Sequence, residues 1–273
     1  MQLQKKTKKI SATAQYKELS IQFSLDGFSF CIRNFETKQI LNITEYTFTK
    51  TLSSPELLLE KVIYIFSNDI ELQHDFSSVY VIHQNNLATI VPENYFDRND
   101  LKPYLDFNVK TLSTDFLTYD NIEIIGAHNV YIPYVNINNF IFQNFGEFEY
   151  NHHITVLINK LLLTNDSKEK EMYVNVSNSQ MDILVINNKK LVLYNSFLFE
   201  TKEDFIYYIL FIAEQLNLDP EKFHLGFIGN IDKKSNLYQI TYNYVRNIFF
   251  INSSSSFLNN DNELTNHSIY LLL

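Results

Sequence analysis

The chain has no tryptophan, one cysteine and only five glycines in 273 residues. A single cysteine, Cys31, excludes an intramolecular disulfide and a cysteine-rich metal centre, and it fits a reducing compartment. Cys31 stands between Phe30 and Ile32 with no evident basic neighbour to stabilise a thiolate, so it reads as a small packing residue. No apolar stretch approaches the roughly 20 residues that cross a bilayer. Lys5, Lys6, Lys8 and Lys9 are followed by no apolar core, so the amino terminus lacks the form of a secretory signal. Positive charge is short too. Against 31 acidic residues stand 22 basic ones, and the net charge of −9 repels nucleic-acid backbones and anionic membranes. The expectation is a cytoplasmic protein with no nucleic-acid or membrane partner. Catalytic signatures are also missing: there is no GxSxG elbow, no Walker-type loop and no HExxH.

What is present is apolar and aromatic. Residues of apolar type make up 45% of the chain, with 23 Phe and 18 Tyr, enough for two ordinary cores. Leu19, Ile21, Phe23 and Leu25 alternate with polar residues, the period of a strand with one buried face. Asp26-Gly27 follows, and Phe28, Phe30 and Ile32 resume the alternation, which predicts a tight hairpin with Gly27 supplying a positive φ. A third strand spans 39–48. Ser53 with Glu56 forms a capping-box pattern, Pro55 sits in the first turn, and a helix runs through Leu57, Leu58, Val62, Ile63 and Phe66. Ser78 to Ile82 is a short buried strand.

The second half repeats this order. Met172 to Ser177 and Met181 to Val185 match the first two strands, and residues 190–199 match the third. Thr201 and Asp204 repeat the capping box before a helix over 202–216. Strands at 225–228 and 248–251 flank a helix over 235–247. Only the first half has a strand at 88–92, a helix over 93–106 broken by Pro103, a strand at 128–134 and a helix over 136–145 that closes at Gly146. Ile154, Leu157, Ile158, Leu161 and Leu162 follow helical spacing. The expected organisation is a disordered basic tail 1–17, a first domain 18–163, a linker 164–171, a second domain 172–252 and a terminal segment 253–273.

Three antiparallel strands, a helix, and a strand returning beside the first is the order of the ribonuclease-H-like unit. Two in tandem, each a mixed five-stranded sheet with helices, form the α/β arrangement of the actin-like ATPases. Val91-Pro92-Glu93-Asn94-Tyr95-Phe96, Asn129 to Pro133, Phe145 to His152, Leu193 to Phe197 and Glu203 to Tyr208 carry a resemblance across 18–252. The chain resembles an uncharacterised bacterial family known only as a domain of unknown function and grouped with actin-like ATPases. That resemblance implies a fold, because the family has no assigned activity.

Actin-like ATPases hold phosphates with one hairpin per domain, usually carrying Asp and Gly so that backbone approaches phosphate and a carboxylate positions hydrated metal. Asp26 and Gly27 are the candidates in the first hairpin, although Asp-Gly is also a common way to build a tight turn. The second hairpin, Ser177-Asn178-Ser179-Gln180, has neither residue. Gly226 and Gly229 are the nearest candidates for an adenosine-binding turn, or they serve only a strand and its end. His152-His153 with Glu149 suggests a metal site only weakly, since adjacent helical residues point about 100° apart. Phe205 to Ile212 is an unbroken apolar run, buried on both sides or partly exposed for a partner or for self-association. The sequence therefore predicts a pseudo-ATPase: a non-catalytic scaffold or adaptor without cofactor or metal, contacting another protein. The alternative is a divergent protein that binds ATP with Mg between its domains through Asp26, Gly27, Gly226 and Gly229.

Overall fold

The computed structural model describes residues 3–10, 14–251 and 270–272. The expected boundary at 252–253 lies outside the described residues. The chain divides into two compact units between Leu157 and Ile158, earlier than the predicted linker and inside a helix over His153–Thr164.

In the first unit, β1 (Leu3–Lys9), β2 (Lys17–Ser24), β3 (Gly27–Asn34) and β4 (Ile40–Phe48) precede α1 (Pro55–Asn68) and β5 (Ser78–His83). An insertion follows, with β6 (Ala88–Pro92), a short α2 (Lys102–Asp106), β7 (Thr118–Ile122) and β8 (Ala127–Tyr131). Then come α3 (Val135–Phe145), β9 (Glu149–His152) and α4 (His153–Thr164), the last of which crosses the division into the second unit. The main sheet runs β1-β4-β3-β2-β5-β9, and β6-β8-β7 form a second, smaller sheet. Leu19, Ile21 and Phe23 of β2 and Phe28 and Phe30 of β3 bury against Leu58, Val62 and Ile65 of α1 and Ile137 and Ile141 of α3.

Six strands stand where five were expected, because the lysine-rich segment is an edge strand and not a disordered tail. Its residues 3–9 pair antiparallel with 42–48 of β4. Lys5 Nζ lies 3.0 Å from Asp69 Oδ2, which also accepts from Tyr46 OH at 2.6 Å. Burial would raise the Asp69 carboxyl, but the Tyr46 and Lys5 contacts outweigh it and hold it below the usual range.

The second unit contains β10 (Lys170–Val176), β11 (Gln180–Asn187), β12 (Lys190–Leu198), α5 (Lys202–Gln215), β13 (His224–Gly229), α6 (Asn236–Tyr244) and β14 (Asn247–Phe250). Its sheet order, β12-β11-β10-β13-β14, reproduces β4-β3-β2-β5-β9. The same irregularity recurs: the register passes over Leu41 in β4 and over Val192 in β12. Asn188 and Lys189, with φ of 49° and 60°, make the two-residue turn between β11 and β12. Thr201 and Asp204 form the predicted capping box. In the first unit the cap is Ser54, whose Oγ accepts from Leu57 N, and not Ser53. The helix expected over 93–106 shrinks to a single 3₁₀ turn and α2. The predicted linker is largely structured, since β10 starts at Lys170 and buried Asn165 donates to Tyr173 OH at 2.6 Å. Tyr270 to Leu272 return to α4, where Lys160 Nζ donates to the Tyr270 and Leu271 carbonyls at 3.0 and 2.8 Å.

Candidate functional site

The first hairpin is closed by its own side chains. Asp26 N donates to Ser24 Oγ at 3.1 Å, and Asp26 Oδ1 accepts from Thr51 Oγ1 at 2.5 Å. Phe48 N and Leu52 N donate to the carbonyls of Asp26 and Leu25. The Asp26 carboxylate is half-exposed at the tip. Gly27 has no positive φ, contrary to the expectation from the Asp-Gly pair. It is glycine for a different reason: a Cβ there would lie 2.7 Å from the Tyr46 carbonyl oxygen on the neighbouring strand.

In the second unit, Ser177 N donates to the Gln180 carbonyl at 2.8 Å, and Phe199 N donates to that of Ser179 at 3.0 Å. The end of β13 closes on this hairpin. Asn230 N donates to the Val176 carbonyl at 2.7 Å, and its Nδ2 donates to Asn178 Oδ1 at 2.9 Å. Gly229 makes that approach possible. Its φ is 82°, and a Cβ would stand 2.3 Å from the Val176 oxygen. Gly226 faces side chains: an added Cβ would meet Phe249 Cζ at 2.8 Å and Tyr173 Cδ1 at 3.0 Å. Those two rings meet edge to face at 6.2 Å. Of the four predicted residues, Asp26 and Gly27 share the first hairpin, and Gly229 touches the second hairpin. Gly226 lies inside β13 beneath aromatic rings.

Sequence patterning missed two buried polar groups. Asp182 of β11 is buried beside the second hairpin, where its carboxylate accepts from Asn175 Nδ2 at 3.0 Å and Gln180 Nε2 at 3.3 Å. The other group joins the end of the first main sheet to the insertion. His83 Nδ1 accepts from Tyr134 N at 3.1 Å, so its Nε2 carries the proton toward Asn138 Oδ1 at 2.9 Å. His152 Nε2 faces the Asn85 carbonyl at 3.1 Å. Asp120 accepts from Tyr131 OH at 3.0 Å and His152 N at 2.8 Å. Burial pushes His83 down to about 3 and His152 well below the usual histidine range. Burial raises the Asp120 carboxyl. Both histidines are therefore neutral structural hydrogen-bonding groups. Glu149 is exposed while His152 and His153 are fully buried. Among the described residues no three His, Cys, Asp or Glu side chains gather as a metal site.

Two units of strand order three-two-one-four-five, each with a hairpin between its first two strands, define the class: this is an actin-like ATPase fold. The chain belongs to the family of proteins of unknown function designated DUF3822, whose pattern covers residues 5–248. A Bacteroides thetaiotaomicron protein of unknown function with an actin-like ATPase fold is similar at a TM-score of 0.77 and 22% identity, over 87% of this chain and 91% of that one. A chain of the PilM-PilN type IV pilus biogenesis complex is similar at a TM-score of 0.51 and 10% identity, over 86% and 88% of the two chains. No curated protein matches the sequence significantly. No helix among the described residues is long and apolar enough to cross a membrane.

Proposed function

We propose that the chain is a non-catalytic scaffold or adaptor, a pseudo-ATPase formed by tandem duplication that contacts a protein partner in the cytoplasm. The observation that carries this reading is the second hairpin. It has neither Asp nor Gly, and its polar groups are engaged locally by Gln180 and Asn230. The glycines offered as compensation are accounted for by packing, since Gly226 leaves room for Phe249 and Tyr173 and Gly229 for the Val176 carbonyl. In the first hairpin the Asp26 amide is already bonded to Ser24, which removes one donor that a phosphate oxygen would need.

The competing reading, ATP with Mg held through Asp26, Gly27, Gly226 and Gly229, makes an opposite prediction. A ligand that binds the native state at 100 times its Kd adds about 2.7 kcal/mol of stability. Titration with Mg-ATP, Mg-ADP and GTP, followed by calorimetry and thermal shift, is expected to give no saturable response. A saturable rise in Tm that Asp26→Ala abolishes would overturn the adaptor reading.

A further inference from the structure

The two units treat the same edge of their sheets differently. In the first, the outer edge of β4 is covered by β1, and β1 presents Lys5, Lys6, Lys8 and Lys9 along the new edge. Lysines on an edge strand discourage further pairing. In the second, β12 holds the position of β4, and no described strand pairs with its outer side. The equivalence is residue by residue, because the shared bulges align Leu41 with Val192. Residues 42–48, which β1 covers, therefore correspond to 193–199.

The stretch that no described strand covers lacks the charges and prolines that guard an edge, and the strand's bulge lies at its end, at Val192. Leu193 to Leu198 contains no charge and no proline, and the strand's lysine, Lys190, lies beyond the bulge. Leu198 is 60% exposed. Backbone direction is also settled. Phe199 N donates inward to Ser179 O, whereas Ser196 N reaches only the Asn195 side chain. By strand alternation the amides of Tyr194, Ser196 and Leu198 point outward. An apolar surface continues from this edge onto α5. Phe197 stacks on Tyr208 at 4.4 Å, Tyr208 meets Tyr207 at 5.4 Å, and Tyr207 stacks on Phe211 at 6.0 Å. Tyr207 is 60% exposed.

We propose that a second copy of this chain occupies this edge, β12 pairing antiparallel with β12 about a two-fold axis near Ser196. An antiparallel strand already covers the equivalent edge of the first unit, and the paired stretch of two copies opposes no like charges. Outward amides at alternate residues place Tyr194 of one copy against Leu198 of the other twice, aromatic on aliphatic, a favourable cross-strand pair. Two-fold pairing of one patch with itself is the closed form of association, so it ends at a dimer. The inference is independent of whether nucleotide binds.

The test is the mass in solution of the full chain, by sedimentation equilibrium across a wide concentration range, together with hydrogen exchange. Wild type is expected to approach twice the 32.2 kDa chain mass, with the Tyr194, Ser196 and Leu198 amides gaining protection as concentration rises. Leu198→Lys, which needs no backbone change, is expected to shift the protein to monomer with an unchanged Tm at monomeric concentrations. Leu198→Pro, which removes one outward amide, is expected to do the same. A wild-type monomer at all concentrations overturns the proposal. So does a dimer that both variants leave intact, or protection of those amides only on adding a different protein.

Discussion

At the scale of single residues, the glycines separate a ligand role from a packing role. Gly229 and Gly126 both have left-handed φ, 82° and 59°, but only Gly229 is crowded; nothing lies within 4 Å of a Cβ added at Gly126. Gly126→Ala should then cost about 1 kcal/mol of backbone strain, while Gly229→Ala should cost on the order of 3 kcal/mol by adding the clash with Val176 O. Chemical denaturation of the two variants measures the difference. Equal losses would show that the approach of β13 to the second hairpin is not what demands glycine. Gly27 carries a lesson about legibility. Asp-Gly between two alternating runs announces a hairpin, and the hairpin is there, but the glycine is required by the carbonyl of Tyr46, further along the chain on a strand whose register no local pattern reveals.

Elements were legible where local chemistry decides them. Thr201 and Asp204 form their capping box, and substituting Thr201 by Ala should lower stability by about 1 kcal/mol. In the first unit the serine pair divides the prediction. Ser54→Ala should cost a similar amount while Ser53→Ala changes little, since only Ser54 accepts from Leu57 N. Thermal melts of the three variants check both statements, and a larger loss at Ser53 would refute the assigned cap. Illegible elements were those stabilised from a distance. In β1, lysines dominate a seven-residue strand whose partners, Asp69 and β4, lie far along the chain. A polar segment of this kind carries no periodic apolar signal, so it reads as a solvated tail. Short β7 and β9 fail for the same reason: each gains its order from a neighbouring strand, β8 and β5 respectively.

For the whole molecule, the repeated order of strands and helices was enough to reach the fold, whereas the buried polar groups were not recoverable from pattern. His83, Asp120 and His152 stand far apart in sequence and meet only where the insertion joins the first main sheet. Their consequence is a dependence of stability on pH. The folded-state pKa of His83 lies at about 3, below the unfolded value of about 6.5. The unfolded chain therefore takes up the proton first as pH falls. Stability from the neutral imidazole is fully present above about 6.5 and is lost progressively toward the folded pKa, with a limiting slope of about 1.4 kcal/mol per pH unit. His152, also lowered, adds a loss of the same sign. Asp120 and Glu45, both raised by burial, act in the opposite direction because the folded state protonates them first. Asp69, held low, loses its contribution only as pH falls below the ordinary carboxylate range. A comparison of wild type with His83→Gln isolates one member of this set, since the other groups are common to both. Denaturation at steps between about pH 7.5 and 5 should show the variant less stable at the neutral end and the gap between the two proteins narrowing as pH falls. A gap that stays constant across that interval would mean that His83 takes up its proton in the folded protein as readily as in the unfolded chain, and that the buried junction is open to water.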